Sequence, residues 1–193
     1  MDISSTSLLS VALGIGLAAA TGFRVFLPLL VAAVAARTGW IPLNETFSWL
    51  QSDSALLMLG SAALLETLAY FVPGIDHLLD LLAAPAAMIA GAVTSAAVMT
   101  NIPPGVLWPL AIVAGGGVAG LTKGTTALIR AKTGIATGGL GNPIVSTGET
   151  IGAIGISLFA IALPMLCLIV VVALSVWGIR RIGRFVTARR ARP

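Results

Sequence analysis

The chain has 193 residues, of which 58% are hydrophobic and only 9% are charged. Its mean hydropathy of +1.04 excludes an ordinary soluble globular domain. It predicts an integral membrane protein, with the lipid bilayer as its partner. The net charge of +4 does not indicate nucleic-acid binding, because six of the eleven basic residues lie in the tail RRIGRFVTARRARP, directly after an apolar run.

The first apolar block, residues 7–36, is longer than the roughly 20 residues that one crossing needs. It is therefore expected to tilt, kink or break. Gly22 relaxes the backbone and Pro28 removes a hydrogen-bond donor, so an interruption is predicted near Thr21-Gly22. The same block contains Arg24, a charge that needs a partner at membrane depth.

Loops and apolar segments alternate in the middle of the chain. Residues 40–53 combine tryptophan with acidic side chains, which predicts an extracytoplasmic loop at the interface. Residues 54–72 and 84–100 predict two crossings, separated by PGIDHLLDLLAAP, whose pattern indicates a short amphipathic helix at the membrane surface. Residues 106–122 predict a further crossing, and its GGGVAG motif permits close helix packing.

The last apolar stretch, residues 144–178, would be roughly 52 Å long as one helix, against a bilayer core of about 30 Å. It predicts either two crossings or one long kinked helix, with Pro164 as the divide. Two crossings place Lys132 and the basic tail, residues 180–193, on the same cytoplasmic side.

Two pairs of short motifs recur in the same order along the chain. GLAAATGF, residues 16–23, aligns with GVAGLTKG, residues 117–124, and LLETLA around Glu66 matches TGETIG around Glu149. This order predicts an internal duplication.

The duplication predicts a single transmembrane domain, residues 1–193, with repeats over about 1–102 and 103–180. Its fold class is an all-α polytopic membrane helix bundle of about six transmembrane segments in two inverted three-helix repeats. Inverted repeats place binding sites near the bilayer midplane on discontinuous helices. A second broken or kinked helix is accordingly expected near Thr122-Lys123.

Polar side chains inside or beside the apolar segments are the candidates for binding an ion or solute. They are Thr21, Arg24, Glu66, Thr122, Lys123, Asn142, Ser146 and Glu149. Glu66 and Glu149 are candidate proton- or cation-binding carboxylates, with a purely structural ion pair between Glu66 and Arg24 as the alternative.

The basic residues divide into two groups. Arg24 and Lys123 are candidate counter-ions or anion ligands near broken-helix termini. Arg37, Arg130 and Lys132 are expected instead to extend to the membrane interface.

Asp76 and Asp80 lie four residues apart and form a second candidate, an interfacial polar or divalent-cation site; a solvated helix face is the alternative. The single histidine, His77, and the single cysteine, Cys167, offer neither a metal cluster nor a catalytic triad, and no HExxH or CxxC motif occurs. We therefore expect no metal, no cofactor and no enzymatic activity, although a lipid-modifying enzyme using the two aspartates is a third alternative.

The motifs TGFRVFLPLL, LLETLAYFVPGIDHLLD followed by AGAV, GLTKGTTALIRA and GLGNPIVSTGET resemble a family of bacterial integral-membrane proteins, the domain of unknown function 4126 family. The resemblance covers nearly the whole chain and places the candidate residues on motif positions. The chain departs from the motifs at Tyr70-Phe71-Val72 and at Thr150. Both departures remove charged residues and argue against a multi-carboxylate metal site.

The sequence thus predicts a small multi-pass transporter or channel for an ion or small polar solute in the bacterial inner membrane. A homodimer is compatible with its glycine-rich faces. The alternative is a non-transporting scaffold or assembly partner that docks a larger membrane complex through those faces and the basic tail.

Overall fold

The structure, a computed structural model, describes the backbone of residues 5–71, 75–138 and 140–190, and their side chains except those of 75–81 and 181–190. All regular secondary structure in these ranges is helical. The helices are α1 (Ser5–Thr21), α2 (Leu27–Arg37), a 3₁₀ helix (Glu45–Gln51), α3 (Asp53–Ala69), α4 (Ile75–Val98), α5 (Pro104–Leu110), a π-helical segment (Ala111–Gly116), α6 (Gly117–Thr137), α7 (Asn142–Ala162) and α8 (Pro164–Arg190).

Two helix boundaries fall where local backbone chemistry predicts them. The helix α1 ends at Thr21, and five non-helical residues follow before α2 begins. The apolar stretch 144–178 is divided because α7 ends at Ala162 and α8 begins at Pro164. Both predicted interruptions are confirmed, and the second shows that the long stretch forms two helices.

The helices α1 and α2 form a hairpin that enters and leaves the bundle at the same end. Thr6 near the start of α1 and Trp40 just beyond α2 line one cleft of about 800 Å³, together with Pro104 and Pro164. We call this the cleft end. The helix α3 runs antiparallel to α2, because Asp53 at its start pairs with Arg37 at the end of α2. The hairpin turns at residues 22–26, where Gly22 and Arg24 are buried and Phe26 is exposed.

Close backbone contact at the hairpin tip requires glycine. A β-carbon on Gly22 would lie 2.6 Å from the backbone oxygen of Ala119 and would also meet the side chain of Thr122. These residues belong to the two sequence motifs that match each other, so the matched segments touch in the folded chain. The helix α5, the π-helical segment and α6 follow one another without a gap, and we call them the α5–α6 rod. The matched segments touch as parallel helices, since α1 and this rod both begin at the cleft end.

The six-span inverted repeat is accordingly not confirmed. An inverted arrangement would make the matched helices antiparallel, and the first block would cross once instead of returning. The break predicted at Thr122-Lys123 is wrong, because α6 is continuous through both residues. An irregularity does occur in this rod, but it is the π-helical segment Ala111–Gly116.

The helix α4 differs from the prediction as well. Residues predicted as a surface helix and a separate crossing form one helix, Ile75–Val98, which continues through Pro85. Proline removes one backbone hydrogen bond and bends a helix without necessarily ending it.

Two helical stretches of the described chain are long and apolar enough to cross a membrane, Pro104–Thr137 and Asn142–Ala162. Only 28% of the most apolar window of each is buried against the rest of the chain. That much exposed apolar surface is typical of helices facing lipid rather than of the core helix of a soluble protein.

Candidate functional site

Arg24 lies at the tip of the α1–α2 hairpin, and its side chain is fully buried. Its Nη2 donates to the backbone oxygen of Ser146 at 2.8 Å and to the Ser146 hydroxyl at 2.5 Å. Its Nε donates to Thr150 Oγ1 at 3.1 Å. Ser146 and Thr150 are one helical turn apart, so the guanidinium group joins the hairpin tip to a single face of α7.

Tyr70, the residue that follows α3, brings the cations of the site together. The guanidinium carbons of Arg24 and Arg130 lie 4.4 and 4.5 Å from the centre of its ring, and Lys123 Nζ lies 5.4 Å from the same point. Lys123 also donates to the Tyr70 hydroxyl at 3.4 Å. Cations within about 6 Å of a ring centre are attracted to its face. We call Arg24, Tyr70, Lys123, Arg130 and Glu149 the Tyr70 cluster.

Helical spacing explains why α6 and α7 supply three members of the cluster. Lys123 and Arg130 are seven residues apart and lie on the buried face of α6. Ser146 and Glu149 lie on the buried face of α7, which begins with Asn142. Side chains spaced by three, four or seven residues share one face of a helix, so the two buried faces bring opposite charges together.

Arg130 and Glu149 form a buried ion pair through Arg130 Nη2 and Glu149 Oε2. Their side chains are 4% and 3% exposed. The expected extension of Arg130 to the interface is therefore wrong. Arg130 is buried because it faces the Glu149 carboxylate. The attraction between the two charges compensates for the several kcal/mol that removing an ion from water costs. Lys132 and Arg37, by contrast, are exposed.

The carboxylate of Glu66 binds backbone amides at the start of α2. Its Oε1 accepts from the backbone N–H of Val25 at 2.7 Å, and its Oε2 accepts from that of Phe26 at 3.1 Å. No direct ion pair to Arg24 occurs between these two described side chains. A carboxylate is favourable beside the first amides of a helix, so Glu66 fixes the start of α2 and is only partly buried. The alternative of a direct Glu66–Arg24 ion pair is therefore wrong.

The remaining predicted residues divide between the site and its supports. Asn142 and Ser146 are buried on the α7 face. Thr21 donates its hydroxyl to Leu17 within α1 at 2.9 Å, and Thr122 packs against Gly22, so both contribute to packing at the tip. The side chains of Asp76 and Asp80 lie outside the described residues.

Sequence reasoning did not identify Tyr70 and Arg130 as site residues. Arg130 follows Lys123 by seven residues, and that shared face was a signal for burial. Tyr70 is the only tyrosine of the chain and follows Glu66 by one helical turn, but nothing local indicates that three cations converge on its ring.

Within the described part of the chain, no three histidine, cysteine, aspartate or glutamate side chains come together as a metal site would require. The cluster instead combines positive hydrogen-bond donors with one carboxylate acceptor. Such a set is suited to holding a polar or charged group away from water by hydrogen bonds.

Fold and site together define an all-helical protein with apolar, lipid-compatible helices around buried charges. The family model described as "Domain of unknown function (DUF4126)" matches residues 11–184, and the chain belongs to this family. No curated protein and no solved structure matches the chain significantly.

Proposed function

We propose that this protein is a small multi-pass membrane transporter or channel for an ion or small polar solute, with its binding site at the Tyr70 cluster. The observation that carries the proposal is the burial of four charged side chains at one place. Arg24, Lys123, Arg130 and Glu149 are each no more than 4% exposed.

Burial of this kind is costly. Well-packed apolar residues stabilise a helix bundle at least as well as an ion pair does, and charges inside membrane segments mark ion or substrate pathways in most cases. The Arg130–Glu149 pair accounts for two of the four buried charges. Arg24 and Lys123 are additional cations around the same ring.

The hairpin supplies a second argument. A segment that enters the bundle and returns leaves irregular backbone at residues 22–26, and Gly22 and Arg24 within it are buried. Such backbone occurs at membrane depth where it is buried in protein or lines a cavity, and broken helices are typical of transporter binding sites. Here the irregular backbone presents Arg24 to α7.

The charge distribution supports an orientation in the membrane. Lys132 follows the Tyr70 cluster along α6, and α8 starts at the cleft end and runs away from it towards the basic tail. The positive-inside rule places these residues in the cytoplasm. We therefore place the end of the bundle opposite the cleft end, where Tyr70 lies, towards the cytoplasm of a bacterial inner membrane. The loop that contains Trp40, which we call the Trp40 loop, then lies outside.

The test is flux through liposomes containing the purified protein, with protons, potassium, chloride and small uncharged solutes as a panel. Wild-type protein is expected to raise the flux of at least one member above that of protein-free liposomes. Glu149→Gln is expected to lower that flux at least tenfold, because the carboxylate that pairs with Arg130 is lost. The matched control is Asp53→Asn, whose exposed side chain pairs with Arg37 at the other end.

Absence of flux for the whole panel, with folded wild-type protein in the liposomes, would contradict the proposal. The scaffold alternative would then be favoured, and it makes its own prediction. Deleting residues 180–193 would abolish recovery of a membrane partner, while neutralising the cluster would mainly lower the yield of folded protein.

A further inference from the structure

Several buried side-chain atoms of the Tyr70 cluster lack a hydrogen-bond partner among the described residues. Nη1 of Arg24, a donor, and Oε1 of Glu149, an acceptor, are among them. An unpaired polar atom in a buried site costs roughly 1–3 kcal/mol, and more when it is charged. A donor and an acceptor left unpaired in one cluster therefore point to a ligand that supplies the missing partners.

The neighbouring contacts fix what each atom offers. Arg24 donates from Nε to Thr150 and from Nη2 to Ser146. Nη1 is therefore the nitrogen of the planar guanidinium group that remains to donate to a ligand. Glu149 uses Oε2 to hold Arg130, which leaves Oε1. A guanidinium group only donates hydrogen bonds, and an ionised carboxylate only accepts them.

The two side chains also belong to one neighbourhood. Glu149 lies between Ser146 and Thr150 in the sequence, and these are the two α7 residues that bind Arg24. No direct ion pair joins Arg24 to Glu149 within the described structure, so neither atom satisfies the other.

We infer that the solute is a small molecule with a hydrogen-bond acceptor and a hydrogen-bond donor on the same planar group, as in an amide or a protonated carboxylic acid. Its acceptor oxygen takes the Nη1 proton of Arg24, and its N–H or O–H donates to Glu149 Oε1. This inference rests on the proposed transport function. A halide ion would satisfy Arg24 alone, and an alkali cation would satisfy Glu149 alone.

Urea is the probe for the experiment, because it combines a carbonyl acceptor with N–H donors and crosses protein-free bilayers slowly. Uptake of labelled urea at millimolar concentration is measured in liposomes containing the full chain. Acetamide, which has both groups, is expected to compete for uptake. Tetramethylurea, which has the carbonyl but no N–H, and potassium chloride are expected not to compete at the same concentration.

Variants locate the effect. Arg24→Lys keeps the positive charge but replaces the planar guanidinium group with a single ammonium group. It is expected to lower urea uptake at least tenfold. The control is Arg37→Lys, the same change at an exposed arginine of the cleft end, which is expected to leave uptake unchanged. If Arg24→Lys does not fold, the competition series on the wild-type protein still decides the question.

The outcomes separate this inference from the proposed function. Transport of chloride, potassium, protons or water alone, without urea, would overturn the inference and leave the transport function standing. Equal competition by tetramethylurea would also overturn it, because the donor would then be irrelevant. Absence of flux for every probe would contradict both.

Discussion

A single ring organises the charges of this protein. Tyr70 faces two guanidinium groups at 4.4 and 4.5 Å, and its hydroxyl accepts a hydrogen bond from Lys123. Like charges repel in an environment of low dielectric constant, so the ring and Glu149 together make the arrangement tolerable. The ring and the hydroxyl have separable roles, since only the ring face attracts the arginines.

That separation gives a prediction for two substitutions. Tyr70→Leu removes the ring and is expected to destabilise the protein by at least about 2 kcal/mol, since each desolvated cation–π contact contributes up to about 2 kcal/mol. Tyr70→Phe keeps the ring and loses the long hydrogen bond between the hydroxyl and Lys123, so a smaller loss of about 0.5–1 kcal/mol is expected from that bond. The measurement is the free energy of unfolding in mixed micelles with increasing SDS.

The neighbouring Phe71→Leu serves as the control, because Phe71 is 45% exposed. If Tyr70→Leu and Phe71→Leu have equal effects, the ring does not hold the cations.

Sequence reasoning identified individual residues of the site better than it identified their partners. The buried positions of Arg24, Lys123, Ser146 and Glu149 follow from polar residues within apolar stretches. Partners depend on how helices pack, and this information is not local. One of the two alternatives for Glu66 was an ion pair with Arg24, yet its carboxylate accepts from the backbone amides of Val25 and Phe26. The start of a helix offers such donors without the burial of a second charge.

At the scale of helices, breaks imposed by the backbone were predictable and breaks imposed by packing were not. Glycine and proline weaken helical geometry without always ending a helix, as Pro85 within α4 shows, and the interruptions predicted at Gly22 and Pro164 are both confirmed. Thr122-Lys123 was expected to break only because it matched Thr21-Gly22, but no backbone constraint exists there. Gly22 also has a packing reason, because the backbone oxygen of Ala119 in α6 lies against it.

Gly22→Ala tests this contact. The added β-carbon would meet backbone of α6, which cannot rotate away, so a loss of about 1–3 kcal/mol is expected from overpacking. Gly60→Ala in α3 is the matched control, since nothing lies within 4 Å of its β-carbon position. That substitution is expected to be neutral or to stabilise by up to about 1 kcal/mol, because alanine favours a helix more than glycine does. Unfolding in SDS measures both, and equal effects would contradict the close approach.

At the scale of the whole molecule, the returning hairpin decides the topology. Apolar length alone could not distinguish one broken crossing from a hairpin that enters and leaves at one end, because both have the same composition. The distinction depends on Thr6 and Trp40 lining the same cleft, which sequence periodicity does not encode. The same hairpin changes the expected location of the N-terminus, since a single crossing would place it opposite the Trp40 loop.

Single cysteines provide the measurement. Ser5→Cys and Ser48→Cys are both exposed at the cleft end, and Ala136→Cys is exposed near the end of α6. An impermeant maleimide applied to intact spheroplasts is expected to label the first two and to label the third only after the membrane is opened. The native Cys167 is 1% exposed and serves as the unlabelled background. Labelling of Ser5→Cys and Ser48→Cys from opposite sides would restore the full crossing and contradict the hairpin, because α1 and α2 would then span the membrane once between them.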